Sequence, residues 1–150
     1  MGKIHLPVAG VSFLLPNDWT DESTHVFVTP PSEWTEDEGG LFRPNITAVF
    51  MPYEDGEDLD GATRRYEQDF HGQVPGAEDL GKESMESKLG PVQLLSYRAK
   101  PPTIGTAVRM TIALAHADGG AVVFSYTEAP GANVGPDQLK KLLRTLGSQD

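Results

Sequence analysis

The side chains able to do chemistry are present but not arranged for it. The four histidines, His5, His25, His71 and His116, show no HxH, HExxH or His-x-x-His spacing. A zinc or non-haem iron site would have to be assembled by the fold alone. Cysteine is absent, which excludes disulfides, thiolate ligands and thiol nucleophiles. Serine, histidine and aspartate all occur, but there is no GxSxG elbow, no phosphate loop and no GxGxxG following a strand. Gly39-Gly40 and Gly119-Gly120 read as turns rather than phosphate cradles. The densest chemistry is the run Glu54-Asp-Gly-Glu-Asp-Leu-Asp60, five carboxylates in seven residues. Calcium is the obvious ligand, yet the EF-hand alternation and closing Glu are missing. A helix start explains the run better, because acids there oppose the positive end of the helix dipole and cap its free N–H groups. The other carboxylates fall in polar loops or helix starts, where nothing would raise a pKa. The expectation is therefore a protein that is not an enzyme, with no metal and no cofactor.

Charge narrows the partners. Twelve Lys and Arg against 22 Asp and Glu give a net charge of -10, which repels phosphate backbones and anionic lipid heads over a Debye length of about 8 Å. Nucleic acid is excluded on that ground. The 150 residues suit one domain burying roughly 70% of its unfolded surface. No apolar run approaches the ~18 residues of a membrane span, and the first residues lack the apolar stretch of a secretory signal. Position 6 is Leu rather than the small hydroxyl residue that myristoylation of Gly2 wants. The expected location is the cytoplasm, an exported form being the alternative if a leader had been removed.

The elements that must position any site can be read from hydrophobic period. The stretch 103–127 predicts a hairpin that the sheet is built around. Ile104, Val108, Met110, Ile112 and Leu114 share one parity of its first arm, and Val122, Phe124 and Tyr126 one parity of its second. Val123 on the opposite parity places this hairpin inside a sheet. Upstream, 3–8 and 11–15 read as a first hairpin or one bent strand, and Trp19 as a lid on the core. A strand at 25–29 precedes the longest unpatterned segment, 30–43, which holds Trp34 and four acids. The run 46–51 is apolar on both parities and predicts a strand covered on both faces. A helix is predicted over 58–71 with Leu59, Ala62, Tyr66 and Phe70 inward, stopped by Gly72 and Pro75-Gly76. Then come a charged edge strand at 79–89, a strand at 92–99, and a last helix after Pro136. That helix has Leu139, Leu142, Leu143 and Leu146 on one stripe and Gly147 as C-cap.

Several short phrases in this order carry a resemblance. Leu15-Pro-Asn-Asp-Trp19, Pro44-Asn45-Ile46, the acidic run before the helix, and the Pro75-Gly-Ala77 turn, followed by strands and a terminal helix, resemble the Mog1/PsbP-like fold. Within it the chain looks most like the bacterial DcrB-related proteins and lipoprotein domains of the LpqN type. The resemblance implies an α+β protein, an antiparallel sheet with helices packed on its faces, as one domain over 1–150. It further implies an accessory or binding protein, including chaperones that hold apolar segments of secreted effectors. No lipobox cysteine is present, and the acidic loop around Trp34 matches no member.

The leading expectation is a non-catalytic adaptor or chaperone-like protein gripping a protein partner, a secreted effector or membrane-associated protein, through an apolar sheet or loop surface. Trp34, Leu41 and Phe42 are its candidate partner-binding residues, because large aromatics supply most interface energy. The plainer reading of the loop is a solvated hairpin tip whose Trp rests on its own sheet. A rival function is a small-molecule carrier or enzyme with a pocket between sheet and helix, lined by groups such as His116 or Arg109. A third reading pairs two copies of the chain, with Leu41 and Phe42 across a two-fold axis.

Overall fold

The structure is a computed structural model that describes residues 2–6, 11–15, 24–29, 32, 34–37 and 40–147, with side chains at 24–29, 32, 34 and 42–147. Trp19 lies outside the described residues. Among the described residues ten strands and two helices follow in order: β1 (Gly2–Leu6), β2 (Val11–Leu15), β3 (Thr24–Val28), β4 (Thr35–Asp37), β5 (Gly40–Phe42), β6 (Asn45–Pro52), α1 (Leu59–Gln73), β7 (Glu78–Ser87), β8 (Gly90–Ala99), β9 (Val108–Ala117), β10 (Gly120–Glu128) and α2 (Gly135–Leu143). The main sheet has the order β3-β6-β10-β9-β8-β7, all antiparallel, while β1-β2 and β4-β5 form separate hairpins. This is the α+β arrangement of an antiparallel sheet with helices on its faces.

The period-2 alternation of β8, β9 and β10 explains why the sheet carries a helix on each side. On one face Leu95, Tyr97, Ile112, Leu114, Ala121 and Val123 pack with Leu59, Phe70 and Val74 of the α1 region. On the other, Val92, Leu94, Ala113, Ala115 and Tyr126 pack with Leu139 and Leu143 of α2. The hairpin β9-β10 sits in the middle of the sheet, as its two-sided apolar pattern requires. Its turn, Asp118-Gly119, has Gly119 at φ 79°, the left-handed region that favours glycine. The first arm is shorter than its parity suggests. The amides of Ile104 and Gly105 both donate to the Pro101 carbonyl, and this turn leaves Ile104 in solvent.

Helix α1 starts as the acidic run predicts. Asp58 is its N-cap and its side chain accepts from the Gly61 amide at 2.8 Å. Helix α2 differs at both ends. It stops at Leu143 with Arg144 as C-cap, so Gly147 is not the cap; Leu146 still packs against the core from beyond the helix. At its start the N-cap position is Val134, whose side chain cannot accept. The cap comes instead from Glu128 at the end of β10, which accepts from the amides of Val134 at 3.0 Å and Gly135 at 2.8 Å. Glu128 is fully buried, so the reading that every carboxylate lies in a polar loop or helix start fails here.

Gly135 allows this contact. A Cβ there would lie 2.6 Å from Glu128 Oε2 and 2.9 Å from the Tyr126 ring. Gly135→Ala should therefore destabilise the protein by about 1–3 kcal/mol through overpacking. Glu128→Gln, which turns an amide donor toward helix N–H groups, should destabilise it by about 1–3 kcal/mol. Urea midpoints check both, and a wild-type midpoint in either variant would contradict the capping role.

Candidate protein-binding edge

The two edges of the main sheet differ in chemistry. Strand β7 is blunted as the sequence predicts, with Glu78, Asp79, Lys82, Glu83 and Glu86 along it. Strand β3, Thr24-His-Val-Phe-Val28, carries no acid, lysine, arginine or proline, and every residue in it is exposed. Val26, Phe27 and Val28 are 58%, 62% and 49% exposed. Among the described residues nothing pairs with the outer side of β3. Among the described residues its N–H and C=O groups on that side have no ladder partner, the condition under which an edge can accept a further strand.

The inner side is set by register. Phe27 lies opposite Ile46 and His25 opposite Ala48, so these four share one face with Phe50, two residues further along β6. That face is the one α2 covers over β9 and β10. Toward the β3 margin the cover thins, leaving Ile46 half-buried and Phe50 39% exposed. Full burial of the 46–51 run on both faces is thus not reached, because its outer neighbour β3 is short and itself uncovered.

The loop after β3 is tied to the same end of this edge. The Thr29 amide and hydroxyl both donate to the Pro44 carbonyl, at 3.0 and 2.9 Å. Trp34 Nε1 donates to the Thr29 carbonyl at 2.9 Å, and the Arg43 guanidinium lies 5.5 Å above its ring. Beyond Trp34 the loop closes as the hairpin β4-β5, with Thr35 opposite Phe42 and Glu36 opposite Leu41. Trp34 and Phe42 are half-buried; the Leu41 side chain lies outside the described set. The structure thus brings Trp34 and Phe42 to the end of an apolar edge that the sequence reading did not flag. Its signal was a short strand with bulky residues on both parities and no charge, a pattern shared with interior strands.

The remaining chemistry stays dispersed. Among the described residues no three His, Asp or Glu converge to hold a metal. His116 Nδ1 meets the Tyr53 hydroxyl at 2.7 Å, and His71 Nε2 meets Asp79 Oδ1 at 3.1 Å. The acidic run is absorbed by structure. Glu57 is gripped by Arg65 at 2.6 Å, with Glu54 at 3.6 Å from the same guanidinium. The Arg65 hydrogen bond holds the Glu57 carboxyl below its ordinary value. Burial, then the charges of Asp58 and Glu57, push the Tyr53 phenol up. Phe70 packs directly on the sheet, its ring stacked on Tyr97 at 4.3 Å. Within the described residues no helix is long and apolar enough to cross a membrane.

No family model and no curated protein matches the chain. Solved structures do. A protein of unknown function from Pseudomonas aeruginosa superposes with a TM-score of 0.75 at 15% identity, over 100% of this chain and 98% of that one. The Ran-binding protein Mog1p of Saccharomyces cerevisiae gives 0.49 at 16% identity, covering 93% and 82%. PsbP from the cyanobacterium Synechocystis gives 0.49 at 14% identity, covering 96% and 87%. At such identities the likeness concerns the fold alone. The chain shares its fold with the Pseudomonas protein over the length of both chains, and the two proteins that name the fold expected from the sequence phrases, Mog1p and PsbP, are among the structures it is similar to.

The Glu57–Arg65 pair makes an acid-side prediction. The Glu57 value is depressed in the folded protein, so its contribution is present above the unfolded value and is lost as pH falls through the lower folded one. The gap in urea midpoint between wild type and Arg65→Met should hold steady above about pH 6 and close progressively below about pH 4. A gap independent of pH would assign the effect of Arg65 to packing.

Proposed function

We propose that the protein is a non-catalytic binding module of the adaptor or chaperone kind that takes an extended apolar segment of a protein partner as an added strand on β3. The observation that carries this reading is the unblunted edge. Among the described residues the outer backbone groups of β3 have no strand partner and lie beside exposed Val26, Phe27 and Val28, while the opposite edge β7 is charged. Soluble proteins guard such edges, and an unguarded one is a template for strand addition. Backbone hydrogen bonds would supply affinity, and the Phe27–Phe50 face would select bulky side chains at alternate positions of the partner. Trp34, Leu41 and Phe42 would hold the partner where the loop meets the end of β3. The net charge of -10 favours a segment with basic flanks, through steering that salt would weaken.

The test is binding of fluorescent peptides of alternating Val, Phe and Thr with Lys at both ends, against Pro-containing controls that cannot form a ladder. Peptides without Pro should bind and the controls should not. Phe27→Asp should weaken capture by about 1–4 kcal/mol, as should the pair Trp34→Ala and Phe42→Ala. Equal binding of the Pro-containing peptides, or full affinity in Phe27→Asp, would overturn the reading. Self-association through β3, with no peptide bound, would replace it by a dimer of the chain.

A further inference from the structure

The other edge of the sheet holds a cavity that protein binding at β3 does not use. It has a volume of about 360 Å³ and is lined by Glu67, Asp79, Leu80, Gly81, Lys82, Leu95 and Tyr97. That volume is near the lower end of small-molecule sites, so it suits a compact ligand. We infer that this cavity binds a small organic ammonium, a protonated primary amine with a short apolar body, between the Asp79 and Glu67 carboxylates and the buried Tyr97.

A β-bulge builds the site. In a regular strand Asp79 and Lys82 would point to opposite faces of the sheet. The register between β7 and β8 shifts at Asp79/Gly81, so that Asp79 lies opposite Tyr97 and Lys82 opposite Leu95. Both charged residues therefore share the α1 face with Tyr97 and Leu95. Helix α1 completes the rim from above, Glu67 meeting Lys82 at 2.9 Å and His71 meeting Asp79 at 3.1 Å. Tyr97 is 2% exposed, yet it lines the cavity. Among the described residues it has ring contacts with Phe70 and His71 and no hydrogen bond to its hydroxyl. Burial first, then the charges of Glu67 and Asp79, keep that phenol neutral well past the ordinary tyrosine range, so it stays available as donor and acceptor.

The charge balance picks the ligand's sign. Two carboxylates, Asp79 and Glu67, face one lysine, Lys82, across the cavity. Asp79 gives one oxygen to His71 and keeps the other. A ligand ammonium can satisfy it while its alkyl portion covers Leu80, Leu95 and the Tyr97 ring. A carboxylate ligand would meet Asp79 and Glu67 with like charge.

The experiment is a two-dimensional amide NMR titration of the full chain with n-pentylamine and, separately, with pentanoate. The amine should give saturable shifts at Leu80, Gly81 and Lys82, and pentanoate should not. Asp79→Asn should weaken the amine at least about tenfold, the scale of a lost hydrogen bond to a charged group. Lys82→Gln removes the competing cation and should strengthen binding, a change of opposite sign that loss of structure would not produce. Tyr97→Phe, which keeps the ring, should weaken binding while leaving the spectrum dispersed. No saturable shift with amine up to ~50 mM, well beyond the ~1 mM of a weak ligand, would overturn the inference. So would an equal response to pentanoate, or weaker binding in Lys82→Gln. None of these readouts involves β3, so they stand or fall separately from strand addition.

Discussion

Strand β10 carries the constraint on which the rest depends. It pairs with β9 on one side and β6 on the other, and it is covered by α1 residues on one face and α2 on the other. Such a strand must be apolar on both parities, must not contain proline, and must end cleanly. Val122, Val123, Phe124 and Tyr126 meet the first demand. Gly120 lies against the Met51 carbonyl and the Phe50 ring, so even a methyl group there would collide with the neighbouring strand. Glu128 meets the last demand. It closes the strand in the interior and serves as the cap that α2 lacks in its own sequence.

From that centre the sheet grows outward into two unlike margins. The β8-β7 side gains a charged strand, pinned to α1 by Lys82–Glu67 and to α2 by Lys140–Glu83. Exposed pairs of this sort are each worth little, about 0–1 kcal/mol. Their larger effect is to keep another chain from pairing. The β6-β3 side has the reverse character, being short, uncharged and wet. One molecule thus presents a closed edge and an open one, and the division follows from where the charges fall rather than from the topology.

Much of the fold was legible because it rests on period and punctuation. The two-sided runs marked β6 and β10, the Leu59-Ala62-Tyr66-Phe70 spacing marked α1, and the acids of 54–60 marked its start. The charges of 78–87 marked an edge. What stayed hidden depends on tertiary contact. Nothing local distinguishes β3 from an interior strand, since burial is decided by neighbours, and among the described residues β3 pairs only with β6. Glu128 looked like one more loop carboxylate. The one available signal was indirect: Val134 precedes Pro136 at a helix start where a capping side chain is wanted, so the cap had to come from elsewhere. The bulge at Asp79/Gly81 was likewise invisible, because Asp79-Leu-Gly-Lys82 reads as ordinary alternation until paired with β8. In sequence the Trp34 loop is simply long and acidic. Its attachment to Thr29 and Pro44 needed coordinates.

The crossover through α1 has a consequence for the order of assembly. Strands β7 to β10 form a meander of near neighbours in sequence, whereas Met51 of β6 meets its partner Ala121 only after the whole meander has been made. Closing so long a loop is slow relative to local pairing. During synthesis β3 and β6 emerge first and wait, apolar and unpaired, for a partner not yet translated. The five acids that follow β6 directly then act as a gatekeeper on a vulnerable strand. The same carboxylates that cap α1 and anchor Arg65 in the finished protein keep the nascent chain apart from its neighbours.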